Sequence, residues 1–306
     1  MKTALLACSL LLTSFPAFAV DHAADALARG KISLNVRARH EGVSQTGLDD
    51  AAALTLRTRF GFTTGDWQGW KATLEAENIT AADGDRYNQA GLNPAAARRA
   101  VVADPETTEL NQALFAYTFD QTTAVIGRQR LVLDNARFIG DVGWRQNAQT
   151  FDAASVQNKS LANTTLTYAY LRRINRVFGD RHPQGRWHSD SHVMHAARSG
   201  LPAGGTLAAY GHLLDFDNAA ANSCATWGLS YAGAVPLSAA VKLSFRLEGA
   251  RQSDYGSSAL RYDADYYAGE SGLAGKPGSV GHRYEELGSD NNVGFKTPLA
   301  TLHAFN

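Results

Sequence analysis

From Lys31 to Arg39 the chain alternates strictly. Ile32, Leu34, Val36 and Ala38 fall on one parity, and Lys31, Ser33, Asn35, Arg37 and Arg39 on the other. The next run sets Leu54, Leu56, Phe60 and Phe62 against Thr55, Arg57 and Arg59. A period of two means a strand with two unlike faces. Lys71, Glu75 and Glu77 oppose Trp70, Ala72, Leu74 and Ala76, and Lys242, Arg246 and Glu248 oppose Val241, Leu243, Phe245 and Leu247. The pattern predicts strands at 31–41, 52–64, 69–79, 108–119, 122–132, 149–157, 163–178, 191–198, 205–215, 223–233, 240–252, 260–269 and 280–287. Connections alternate in length. Gly65-Asp66, Asp120-Gln121, 202–205 and 233–238 are short, whereas 43–51, 81–107 and 179–189 are long and polar. No helical period and no Pro- or Ser-rich linker breaks the series, so one domain of hairpins is expected over 20–306. Trp67, Trp70, Tyr117, Phe119, Tyr168, Tyr170 and Phe178 lie near strand ends, where an aromatic girdle would stand.

Such alternation suits a soluble sandwich or a membrane barrel. The N-terminus separates them. Residues 1–19 read as a secretory signal: Lys2, an apolar stretch from Ala4 to Leu12, and the small-x-small site Ala17-Phe18-Ala19. Of the two cysteines, Cys8 lies within that signal, which leaves Cys224 alone. A disulfide-stapled secreted fold is therefore excluded. No later stretch approaches the ~20 apolar residues of a spanning helix. The charge is balanced at 29 basic against 29 acidic residues, so any selectivity must come from where charges sit. The expected fold is an all-β, transmembrane antiparallel β-barrel in the outer membrane.

The block Gly127-Arg-Gln-Arg-Leu131, Asp134-Asn-Ala-Arg-Phe-Ile-Gly-Asp141, Val-Gly-Trp-Arg-Gln-Asn147 and Thr150-Phe-Asp152 resembles the alginate export family of outer-membrane porins. Glu109-Leu-Asn-Gln112, Tyr170 to Arg176 and the terminal Thr297 to Asn306 resemble its shorter members. The resemblance implies a monomeric barrel of about eighteen strands, with a positive lumen narrowed by inward loops, that passes an anionic polysaccharide such as alginate or a smaller anionic solute. Arg128 and Arg130 share a parity. Arg137 and Arg145 follow in a segment too long and too apolar for a free outer loop, which is expected to fold into the lumen. Arginine suits carboxylates because its planar fork binds them bidentately. The expected anion path is Arg128, Arg130, Arg137 and Arg145, supported by Arg57 and Arg59, with Asp134, Asp141 and Asp152 as their ion-pair partners. Roughly thirteen strands is an odd count, and single-chain bacterial barrels use even ones. The chain is therefore expected to be a C-terminally truncated form.

An outer-membrane barrel enzyme would gather a nucleophile, a histidine and an acid at one rim. His182, His188, Asp190, His192 and His195 are the candidates, but no helix holds them and no Gly-x-Ser-x-Gly stands near. A carbohydrate-binding sandwich would cluster aromatics on an exposed face. No catalytic residue, cofactor, metal site or nucleic-acid patch is assigned. Ala82-Asp83-Gly84-Asp85 lacks the further ligands of a calcium loop.

Overall fold

The computed structural model describes residues 18–276 and 278–300, so the signal expected at 1–19 lies almost wholly outside the described residues. Thirteen antiparallel strands follow one another in a single meander. They are β1 (Lys31–Val43), β2 (Ala51–Thr63), β3 (Trp70–Ala81), β4 (Thr107–Phe119), β5 (Thr122–Gln129), β6 (Thr150–Asn158) and β7 (Thr164–Asn175). They continue with β8 (Arg186–Leu201), β9 (Gly205–Leu214), β10 (Cys224–Pro236), β11 (Val241–Asp254), β12 (Asp263–Gly275) and β13 (Ser279–Leu287). Each forms at an expected position. The largest shifts are β12, which runs six residues past its expected end to Gly275, and β8, which begins at Arg186 and takes in the end of the supposed loop 179–189. Its register explains the gain: Arg186, Trp187 and His188 pair with Asn175, Ile174 and Arg173 of β7.

One helix does form, contrary to the absence of helical period. Helix α1 (Phe18–Ala28) precedes β1. Its alanine-rich end, Ala23 to Ala28, favours helix without needing an amphipathic pattern. Ala26 is buried, and its carbonyl accepts from Gly65 N at the first short turn.

The sheet curls. A flat sheet would hold β1 and β13 about 58 Å apart at the usual strand spacing. Yet Arg137 reaches Glu285 of β13 while Arg145, eight residues later, reaches Glu41 of β1. Eight residues extend at most ~29 Å. The sheet must wrap around the segment between β5 and β6, which makes an inner and an outer face. Among the described residues β1 and β13 are not paired with each other, so the barrel is open along that seam. The outer face is apolar along most strands, with Ile32, Leu34, Phe60, Leu74, Phe115, Ile126, Leu229 and Leu247 all exposed. The inner face divides in two. Over β6–β12 it carries an apolar core with Phe151, Leu171, Ile174, Tyr210 and Tyr266, whereas over β1–β3 it carries Arg57, Arg59 and Glu77.

Candidate functional site

The 130–149 segment leaves β5 at Gln129 and rejoins the sheet at Thr150. Between these points it crosses the concavity, as expected of a segment folded into the lumen, and is clamped at both ends. At the first clamp Asp134 accepts from Arg246 Nη1 at 3.0 Å and Nη2 at 2.6 Å, and from Ser230 Oγ at 3.2 Å. Burial works against the Asp134 charge, but the Arg246 hydrogen bonds and positive charge hold its carboxyl below the usual range. Arg246 also donates to Glu248 at 2.9 Å, and Glu248 accepts from the Tyr210 hydroxyl at 2.8 Å. Arg137 donates to Glu285 at 2.5 Å and lies 5.8 Å from the Tyr266 ring. Phe138 packs among Tyr210, Tyr266 and Phe295 at ring distances of 5.3, 5.2 and 5.9 Å. Gln149 Nε2 ties Gly140 O to Leu299 O, at 2.8 and 2.9 Å.

The second clamp is made of guanidinium groups on backbone carbonyls. Arg37 of β1 donates to Gln146 Oε1 at 2.9 Å, to Gly143 O at 3.1 Å and to Trp144 O at 3.3 Å, and also to Arg145 O. Arg57 and Arg59 of β2 both reach Gln146 O, at 3.4 and 3.3 Å. Gln146 Nε2 answers with a 2.8 Å bond to Thr55 Oγ1, and Gln146 N donates to Asp104 at 2.9 Å. Asp104 comes from the long 82–106 connection. Its carbonyl accepts from the Tyr87 hydroxyl at 2.8 Å, a proton that burial, with the nearby Glu106 and Asp104 carboxylates, makes harder to lose. Trp144 stacks under Arg145 at 4.1 Å and Arg39 at 5.4 Å. Arg145 pairs with Glu41 at 3.0 Å, and Arg39 with Glu41 at 2.7 Å and with Asp104. Val142 holds φ +49°, a left-handed conformation unfavourable for a β-branched residue, which the clamps on either side enforce.

The expected arginines therefore divide. Arg57 and Arg59 stand on the inner wall, only 5% and 6% exposed. Arg145 and Arg137 are bound into the two clamps. Arg130 lies past the end of β5 and faces inward, with Glu75 at 3.6 Å and Asp141 at 3.9 Å as its loose partners. Arg128 is a correction. It shares parity with Ile126, which is 61% exposed on the outer face, and pairs in register with Asp152. Asp152 sits between the inward-facing Phe151 and Ala153, so it also points outward. Arg128 Nε and Nη2 bind Asp152 at 2.7 and 3.2 Å, away from the lumen. Asp134 is a second correction, because it holds Arg246 rather than any arginine of the expected path. The sequence reading missed Arg37, Asp104, Gln146 and Glu285. Arg37 was within reach, since it shares the polar parity of Asn35 and Arg39. Asp104, Gln146 and Glu285 act across connections that carry no periodicity.

The histidines do not gather. His195 is directed inward, His188 and His192 outward, and the His182 ring stacks on Phe178 in a connection at 5.0 Å. Phe178 is thus no girdle residue. Among the described residues no group of three or more His, Cys, Asp or Glu side chains is placed to hold a metal ion.

This architecture, a meander of antiparallel strands with an apolar exterior and an inward crossbar, is that of an outer-membrane β-barrel porin. Solved porins share it. OccAB3 of Acinetobacter baumannii aligns with a TM-score of 0.71 over 88% of this chain and 69% of its own, at 14% identity. OccK2 (OpdF) of Pseudomonas aeruginosa in complex with glucuronate aligns at 0.59 over 83% and 68%, at 16% identity. A BenF-like porin from Pseudomonas fluorescens Pf-5 aligns at 0.62 over 84% and 66%, at 14% identity. The chain thus spans about two thirds of the length of these three proteins. No family model and no curated protein matches the sequence. The likeness is to Occ-type porins rather than to the alginate export family. The block that carried the alginate resemblance is the crossbar itself, where Arg137, Phe138, Gln146 and Gln149 are buried by packing.

Proposed function

We propose that this chain forms the wall of a passive outer-membrane channel for small anionic solutes, carboxylates of the uronate type foremost, and that it performs no covalent chemistry. One observation carries the reading. Arg37, Arg57 and Arg59 stand together on the inner wall, where Glu77 pairs with Arg59 and lies 4.0 Å from Arg57. Among the described residues no carboxylate lies within ion-pair distance of Arg37. The wall beside the crossbar is therefore locally positive although the chain is neutral.

A solute carboxylate drawn to that wall meets Arg130 next. Arg130 holds its acids at 3.6 and 3.9 Å, beyond good hydrogen-bond distance, so a solute can replace them. Glu75 and Asp141 then reclaim the arginine, and the solute leaves. Weak successive sites of this kind allow passage without trapping. The bound glucuronate of OccK2 has the chemistry these groups would take. The crossbar obstructs the concavity and favours single sugar acids over a polyuronate chain; alginate is the finer alternative that the same assay tests. Export by the signal at 1–19 and action as a monomer belong to this reading.

Unpaired strand edges in hydrocarbon cost several kcal/mol per orphaned group. Conduction therefore requires partner strands for β1 and β13. The test is the reversal potential in a planar bilayer under a salt gradient, on a form whose two edges are joined by further strands. Anion-selective steps, inhibited by glucuronate more strongly than by alginate oligomers, are expected. Cation selectivity would refute the assignment.

A further inference from the structure

Leu171 and Ile174 of β7 are both buried in the inner core. Inner positions on a regular strand recur at even spacing, and these are three apart. The register between β6 and β7 skips Arg172 between Leu171 and Arg173, a bulge that turns both Arg172 and Arg173 to the outer face. Arg173 lies in register with Asp152 of β6 on one side and His188 of β8 on the other. Arg128 of β5 completes the row.

Asp152 is already engaged. It takes two bonds from Arg128, accepts from Asn175 at 2.9 Å, and meets Arg173 only at 3.4 Å. Among the described residues Asp190 makes no ion pair with Arg172 or Arg173. Arg172 is exposed and makes no ion pair or hydrogen bond among the described residues. One step along the same strands the outer side chains turn apolar, with Ile126, Ala154, Val156 and Tyr168. The row thus stands where the apolar belt ends, at the end of the strands that bears the long connections, the outer side of a barrel. Elsewhere at this level the outer charges are paired or acidic: Arg251 with Asp263, then Asp265 and Glu286. The positive excess is confined to β5–β7.

We propose that Arg172 and Arg173, with Arg128 behind them, dock the phosphate of a phosphorylated glycolipid in the outer leaflet. Guanidinium forks take phosphate bidentately, and a cationic cluster at the headgroup level is the surface such a lipid recognises. The inference rests on the membrane placement above. It does not rest on what the lumen passes.

The full chain in detergent micelles is titrated with bisphosphorylated lipid A, with the same lipid after removal of its phosphates, and with inorganic phosphate. Native mass spectrometry reads occupancy. The Arg172→Gln/Arg173→Gln double variant is expected to bind the phosphorylated lipid about thirtyfold more weakly, the loss of two surface cations. The dephosphorylated lipid binds as weakly to the unaltered chain, and Arg251→Gln changes nothing. Arg172→Gln alone, which removes no internal contact, gives an intermediate loss and guards against misfolding of the double variant. Equal binding by the double variant, or by the dephosphorylated lipid, overturns the site. Inorganic phosphate competing at the affinity of the lipid overturns the lipid as its ligand. Failure of the form whose two edges are joined by further strands to enter a bilayer would defeat the membrane placement itself, a failure separable from these.

Discussion

Arg37 donates to three carbonyls and one amide oxygen, and these take four of its five N–H hydrogens without cancelling its charge. Arg37→Gln should therefore lower the anion-to-cation permeability ratio by about twofold, the effect of one charge acting over ~10 Å of aqueous lumen. Arg128→Gln should leave that ratio unchanged, because its side chain faces away and is neutralised by Asp152. Reversal potentials of the two variants, measured side by side, check both. The outward position of Arg128 was legible. Ala124, Ile126 and Arg128 share one parity, and two of the three are apolar. What drew Arg128 inward was its neighbour Arg130, which has the same parity but lies beyond the strand, where parity no longer applies. Asp134 gives the pH dependence. Its carboxyl is held below the ordinary value, so its contribution is present above the unfolded value of ~3.9 and is lost as pH falls through the lower folded one. The difference in thermal stability between the unaltered chain and Asp134→Asn should stay constant from pH 7 to about 5 and close only in stronger acid. Asp134→Asn should already be weakened at neutral pH, by about 1–3 kcal/mol.

As elements, the strands were the most legible part of the chain, because one apolar and one polar face impose a period of two that turns and short connections punctuate. Bulges were invisible. The shift at Glu75/Ala76 admits Asn111 into β4, the shifts at Asp152/Ala153 and Leu171/Arg173 meet at one parity break at Arg172 of β7, and no composition marks either. The crossbar was legible as a segment that must go inside, but not in its contacts. Its two ends are held differently, Phe138 in an aromatic nest and Gln146 under guanidinium groups. Phe138→Ala should cost about 3–5 kcal/mol, read from thermal unfolding, since its ring fills a closed apolar space. Replacing 134–146 by a short glycine-serine link should raise single-channel conductance and weaken selectivity together. Higher conductance with unchanged selectivity would place the selecting charges on the wall alone.

At the scale of the whole molecule, the curl of the sheet follows from the crossbar joining β1 to β13, and the asymmetry of the interior follows from which strands supply arginines. Positive charge gathers on β1–β2 while β9–β12 present aromatic rings, so the two sides of the lumen differ in chemistry. Neither the curl nor the asymmetry has a local signature, because both arise from contacts between residues about a hundred or more positions apart, such as Arg37 with Gln146 and Arg137 with Glu285. The open seam between β1 and β13 must be filled before ions can be separated from lipid. The most direct measurement is therefore the reversal potential of the edge-joined form across a planar bilayer under a tenfold salt gradient. The account predicts discrete steps whose reversal potential has the sign of anion preference and moves toward zero in Arg37→Gln. Steps that prefer cations, or an anion preference untouched by Arg37→Gln and Arg130→Gln together, would contradict it.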